Sequence, residues 1–338
     1  MKRVRVILLL LLLVCGGWFL IGPAKVGANQ FELPAARVTV KVLDENQQPI
    51  TNANVWFSFK DRLTFKDLNI RGLTGANGLF TAEGGCDASG VGCEISKAGY
   101  YIGFPTIPKF HEQDEVLNRW KPWNKTYTVI LRPISNSVDL YAKKVQTEVP
   151  VLGQPCGYDL ETGDWVAPYG KGTTKDLIFN IQSKSVKDAL NFSAEGELTF
   201  TQPLDGLQET SISNIGTNSI FKWERQAPEN AYKPMFKLQN TLWGSLKQKP
   251  VRSFKFDSSR EWEGYFFRVR SVVQDGKIIS AHFGKIRGGI EIDPRDTQTC
   301  AIIFTYYYNP TPLDRNLEWN SKHNLFGRLS WEENPREP

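Results

Sequence analysis

The chain offers little for acid–base or nucleophilic chemistry. Its three histidines, His111, His282 and His323, are widely spread. No serine occupies the G-x-S-x-G turn in which many hydrolases present a nucleophile, so the sequence brings no serine, imidazole and orienting carboxylate together. Asp159, Glu161 and Asp164 cluster in a glycine-rich stretch. Such acids can act as the carboxylate pair of a glycoside hydrolase or as oxygen ligands to Ca²⁺. Their spacing is not that of an EF-hand, and a solvated turn accounts for it as well. The Glu261-Trp262-Glu263 run reads the same way, as charges flanking an aromatic at a strand entrance. No cofactor motif and no metal site are expected.

Sulfur and aromatic residues give stronger expectations. Beyond the N-terminal segment stand Cys86, Cys93, Cys156 and Cys300. An even count in an oxidising compartment points to pairing. Cys86 and Cys93 enclose a glycine-containing loop and are expected to bridge locally, which leaves Cys156 for Cys300. A four-cysteine zinc site would call for a C-x-x-C pair, and none exists. Indole and phenol planes stack on sugar faces or dock peptide side chains. Trp120, Trp123, Trp165 and Trp319, with Tyr307, lie in or beside loop segments. Trp165, Tyr307 and Trp319 are the candidate ligand-binding residues, with packing of a sheet edge or a domain seam as the competing reading.

These side chains must be positioned by a folded body, and the composition describes one. Of 338 residues, 41% are hydrophobic, 12% aromatic and 23% charged, near the average for globular chains apart from the aromatic excess. The 41 basic residues exceed the 36 acidic ones, but Lys2, Arg3, Arg5 and Lys25 all precede the first acid, Glu32. The remainder is close to neutral, which argues against a nucleic-acid partner. Residues 1–28 have a basic start, an apolar run from Val6 through Val14 extended by Trp18 to Ile21, and a small-residue site at Val26-Gly27-Ala28. This is the layout of a secretory signal peptide. Cleavage after Ala28 is expected, with an uncleaved membrane anchor over 6–21 as the alternative. Leu12 to Cys15 has the outline of a lipoprotein box, with Val14 where a small residue is needed. The chain is therefore placed outside the cytoplasm, in the periplasm, at the cell surface or beyond, touching membrane only through this segment.

From residue 37 onward the pattern has the period of strands. Val38, Val40 and Val42 alternate on one face, and Val55, Phe57 and Phe59 alternate with Trp56, Ser58 and Lys60. Asn77-Gly78 marks a hairpin turn, and Asp275-Gly276 joins Tyr265–Val273 to Ile278–Ile286 in the clearest hairpin of the chain. Cys300 to Tyr308 reads as a central strand and Pro105 to Trp123 as one long loop. Lys184 to Leu190 and Asp314 to Trp319 are expected to form at most a helical turn or two.

Val38-x-Val40-x-Val42-x-Asp44, Pro49-Ile50, Ala53-x-Val55, Thr74-x-x-x-Gly78-x-Phe80 and Gly99-Tyr100 together resemble the carboxypeptidase regulatory-like domain over about residues 37–132. The family has glycine where this chain has Gln47 and Asn52. The resemblance implies a transthyretin-like β-sandwich that stabilises neighbours or binds sugars and carries no active site. Gly157 to Gly172 and Asn309 to Glu318 resemble stretches of uncharacterised bacterial exported proteins. The expected architecture is all-β, two β-sandwich-like domains in tandem behind the signal peptide or anchor: 37–132, a connector at 133–155, and a second β-rich domain at 156–330. The expected function is a non-catalytic binding or structural module of the bacterial envelope whose partner is a glycan or an envelope protein. The alternative is a carbohydrate-active hydrolase using acids of the second domain.

Overall fold

A computed structural model describes residues 32–188, 191–211, 216–245, 248–254, 263–294, 296 and 298–338. The export segment at 1–28 and the residues Glu261 and Trp262 lie outside these. Among the described residues every regular element is a β-strand, and no helix is long and apolar enough to cross a membrane.

The first unit is a sandwich folded from one eight-stranded sheet. One layer is β3 (Asp67–Leu73), β2 (Asn54–Lys60) and β5 (Gly92–Ser96), with β2 in the middle. The other is β4 (Leu79–Gly85), β1 (Ala35–Leu43) and β8 (Lys125–Ile130), with β1 antiparallel to β4 and parallel to β8. The bridge Lys60↔Gly85 joins the layers at a corner. The alternating side chains Val38, Val40, Val42, Val55, Phe57 and Phe59 fill the space between, as the period of two requires when one face of each strand is dry. The stretch expected as one long loop carries a small hairpin, β6 (Glu112–Asp114) with β7 (Arg119–Lys121). Strands of three residues are too short to leave a periodic signature.

The second unit is a sandwich of two sheets. One holds β11 (Asp164–Trp165), β10 (Cys156–Asp159), β12 (Leu177–Asp188), β13 (Asn191–Thr199), β15 (Met235–Ser245) and β16 (Gln248–Phe254). The other holds β14 (Gly206–Ser211), β17 (Glu263–Gln274), β18 (Lys277–Pro294), β19 (Cys300–Asn309) and β9 (Tyr141–Glu148). Phe179, Leu198, Leu238, Phe267, Ile286, Phe304 and Tyr306 lie in the core between them. The stretch expected as a connector therefore supplies an edge strand, because β9 pairs with β19 from Tyr141↔Tyr308 to Glu148↔Ala301. Lys184 to Asp188, expected as a helical turn, continues β12, and Asp314 to Trp319 carries no helical turn but an isolated bridge from Asn316 to Gln226.

A seam joins the two units. Tyr101 of the first stacks on Phe221 at a ring distance of 4.9 Å, and Asn218 accepts from Phe104 N while donating to Ile130 O through the backbone. Arg132, buried, donates to Glu45 Oε1 at 2.8 Å and to the Phe221 and Trp223 carbonyls. Glu318, also buried, accepts from Ser135 N and Asn136 N at 2.9 Å each and faces Arg225 at 3.4 Å. Lys285, fully buried, sits among the rings of Phe221, Trp223 and Tyr307 and donates to Leu317 O at 3.1 Å.

Candidate functional site

The acidic cluster is engaged in holding the second sandwich together. Asp159, at the end of β10, accepts hydrogen bonds from the backbone N–H groups of Glu161, Thr162, Thr173 and Thr174 at 2.9–3.1 Å. Arg270 reaches across from β17 to grip Asp176 with two hydrogen bonds of 2.8 and 2.9 Å, Asp159 at 3.2 Å and Glu161 at 2.5 Å. Burial pushes the Asp159 carboxyl up, but the hydrogen bonds outweigh it and hold the group below its ordinary 3.8. A carboxylate whose lone pairs are already filled has none left for Ca²⁺ or for a water nucleophile. Asp164 is likewise spent on the backbone N–H groups of Trp165 and Lys171.

The candidate ligand-binding aromatics are core residues, which corrects that expectation. Trp165 is 4% exposed, Tyr307 0% and Trp319 1%. Trp165 packs edge-on against Tyr158 and Phe179 and donates to Thr147 Oγ1 at 3.3 Å. Tyr307 and Trp319 lean on each other at 5.4 Å, with the Trp319 indole N–H bonded to His323 O. Trp120 donates to Cys86 O and stacks on Phe110, and Trp123 lies under Arg119. His282 pairs through Nδ1 with the Tyr308 hydroxyl, while His111 and His323 are exposed and apart from it.

The expected sulfur bridges are not formed in the structure. Cys86 follows β4, with its Sγ directed at Asp87 O and Gly90 O at 2.9 and 3.1 Å, and Cys93 lies in β5 facing the core. Cys156 Sγ points at the carbonyls of Val151 and Gln154, and Cys300 starts β19 with its Sγ toward Ala301 O. All four are buried thiols. Burial pushes Cys86 up to about 11 and Cys93 up to about 12, so neither is a thiolate at neutral pH.

Two concave surfaces stand out among the described residues. The larger, about 1480 Å³, lies beside β9 and β19 under the C-terminal segment. That segment closes two ion pairs on it, Lys143 with Glu333 at 3.2 Å and Arg287 with Glu337, and the Lys144 backbone N–H donates to Glu333 O at 2.7 Å. The Tyr307 hydroxyl donates to Glu337 O.

The second, about 620 Å³, crosses the outer face of β3, β2 and β5 and is lined by Asn54, Trp56, Arg71, Leu73, Glu94 and Ser96. Here the strand period does the positioning. Because Val55, Phe57 and Phe59 point into the sandwich, Asn54, Trp56 and Ser58 must point out. Register then places Arg71 and Glu94 directly beside Trp56, and Leu73 and Ser96 beside Asn54. The Trp56 indole N–H donates to Asn69 Oδ1 at 3.0 Å, which fixes the ring against the sheet. Arg71 is exposed, and among the described residues neither it nor Glu94 has an ion-pair partner. The result is a half-buried aromatic plane flanked by a guanidinium, a carboxylate, an amide and a hydroxyl. This site was missed in the sequence, although its signal is there: a tryptophan on the polar side of an alternating strand.

No family model matches the chain, and no curated protein matches it. Among solved structures, 3-chlorocatechol 1,2-dioxygenase from Rhodococcus opacus 1CP matches 31% of this chain at 13% identity and a TM-score of 0.25, and this chain spans 62% of that enzyme. A shaft pilin from Lactobacillus rhamnosus GG matches 83% of this chain and 94% of its own length at 10% identity and a TM-score of 0.20. A membrane-associated protein of unknown function from Bacteroides fragilis matches 82% of this chain and 99% of its own at 8% identity and 0.19. Scores of this size bring no function to the chain.

Proposed function

We propose that this chain is an exported, non-catalytic binding module of the bacterial envelope, held at the membrane by residues 6–21 or released by cleavage after Ala28, and that it binds glycans in the Trp56 groove. The observation that carries the reading is the outward indole of Trp56 with unpaired hydrogen-bonding groups on both flanks. A pyranose ring has an apolar C–H face that stacks on an indole and a rim of hydroxyls that need donors and acceptors. Arg71 supplies donors, Glu94 and Asn54 supply acceptors, and Ser96 supplies either. The groove volume falls within the usual range for small ligands, roughly 300–1,000 Å³. Glu94 is the one carboxylate lining the groove, so the pair of acids that glycoside hydrolysis demands is not assembled there. The resemblance of residues 37–132 to a family that includes sugar-binding appendages supports the same reading.

A glycan array probed with the purified chain and with Trp56→Ala tests it. The account expects a discrete set of saccharide signals that Trp56→Ala reduces at least about tenfold, a loss of about 1.4 kcal/mol, with the variant's circular dichroism unchanged. Signals that survive in Trp56→Ala would place binding elsewhere, and a silent array for both proteins would remove the glycan reading. Sequencing of the exported protein should show a start at Asn29 if cleaved, or Met1 if the segment is retained.

A further inference from the structure

Two loop tips at one end of the first unit present large apolar side chains to solvent. Leu63 and Phe65, in the connection between β2 and β3, are 64% and 52% exposed, and Val116 and Leu117, in the turn between β6 and β7, are 82% and 55% exposed. The two tips are knitted into one surface. Arg62 donates to Asn118 O at 3.2 Å and to Leu33 O at 2.9 Å, Ala35 N donates to Asn118 O, and the Asn118 side-chain amide donates to Glu32 O. Each tip is also held from within, by Asp61 accepting from Leu63 N and Thr64 N and by Asp114 accepting from Leu117 N. The apolar groups are thus fixed outward, where a soluble turn would normally carry polar residues.

Two further observations say what covers them. Most charges around the tips are held in pairs, Lys60 with Asp67, Arg62 with Glu32, Arg119 with Asp114 and Lys121 with Glu112, and the exposed Lys66 and Glu115 beside the apolar residues are of opposite sign. The chain also enters the first unit at this end, through Glu32 and Leu33. Eleven residue steps separate Glu32 from Ile21, the last residue of the apolar N-terminal stretch, a reach of at most about 40 Å.

We propose that this end of the first unit seats on a lipid bilayer, with Leu63, Phe65, Val116 and Leu117 dipping into the interfacial layer of the membrane that holds the N-terminal segment. The proposal rests on the anchored form of the reading above. Because the flanking charges nearly balance in sign, the contact is made by apolar burial and does not require anionic lipid. It would also turn the Trp56 face sideways to the membrane plane, since the tip with Leu63 and Phe65 joins β2 to β3, whose outer faces carry the groove.

The test places an environment-sensitive fluorophore at Leu63→Cys, Val116→Cys or, as a control on the second unit, the exposed position Lys277→Cys, in the full chain carrying Cys15→Ser. The four buried thiols leave the introduced one selectively reactive. The chain is reconstituted into phosphatidylcholine vesicles, with and without doxyl-labelled lipid. The expected result is blue-shifted emission at positions 63 and 116, quenched by the doxyl lipid and protected from aqueous iodide, with none of these changes at 277 and no dependence on salt. A chain that floats with the vesicles while all three probes stay equally wet overturns the seating and leaves the anchor intact. A chain that does not float with the vesicles overturns the anchor and the seating together.

Discussion

Gln47 and Asn52 hold φ angles of 62° and 56°, a left-handed conformation that costs a residue with a Cβ roughly 1–2 kcal/mol. Both are the positions at which the resembled family has glycine. The turn keeps its shape here through the Asp44 carboxylate, which accepts from Asn46 N and Gln48 N at 2.8 Å each. Replacing either residue by glycine relieves the strain but adds freedom to the unfolded chain. Gln47→Gly and Asn52→Gly are each expected to stabilise the protein by about 0.5–1 kcal/mol, read as a higher urea midpoint with an unchanged m-value. A lower midpoint would mean that the side chains contribute more than their conformation costs. Trp56 teaches the complementary lesson. Its neighbours on β2 bury themselves by alternation, and an aromatic on the opposite side of that alternation is surface by construction.

Among the elements, β17 ties the second sandwich across its layers through Arg270. The register of its pairing with β18 shifts between Val269 and Val272, and Arg270 sits in that irregularity with φ 56°. The bulge re-aims the guanidinium at the opposite sheet, where it meets Asp176 and Asp159. Arg270→Met would leave those two buried carboxylates without their counter-charge, a loss of about 3–5 kcal/mol, measurable by urea unfolding. Arg270→Lys should recover only part of it, because an ammonium cannot reproduce the fork that grips Asp176. Full stability in Arg270→Met would show the network to be incidental. The hairpin that contains this strand was legible in the sequence, since apolar runs flank Asp275-Gly276, and both turn residues take the positive φ that such a turn needs. Neither the bulge nor its partners were legible, because Arg270 meets Asp176 only through long-range sheet packing that no local pattern encodes. The same holds for β9. The prolines around it give the stretch the look of a linker with room for one strand at Val138 to Ala142, and the full run Tyr141–Glu148 forms only because β19, far along the chain, offers an edge.

At the scale of the whole molecule, the seam decides whether the two sandwiches behave as one body. Burial pushes the Glu318 carboxyl up, but hydrogen bonds from Asn136 and Ser135 and the charge of Arg225 outweigh it and hold the group below its ordinary 4.5. A carboxyl with a depressed folded-state pKa contributes fully above 4.5 and loses that contribution as pH falls through the lower folded value. Acidification below pH 4.5 is therefore expected to weaken the seam, and Glu318→Gln to remove part of that pH dependence. Calorimetry of both proteins between pH 3 and 7 checks this, and parallel pH profiles would contradict it. The all-β architecture could be read from periodicity and turn residues. The seam could not, because Arg132, Arg225 and Glu318 are ordinary charged residues until the fold buries them.

In the proposed binding mode a saccharide docks on the outer face of β2 against Trp56. The most direct measurement is fluorine NMR of the protein labelled with 5-fluorotryptophan, with the Trp56 resonance assigned from Trp56→Phe and followed during titration with the best saccharide from the array. The account predicts that the Trp56 resonance shifts with saturation while those of the buried Trp165, Trp223 and Trp319 hold still. A stationary Trp56 resonance under saturating ligand would contradict it.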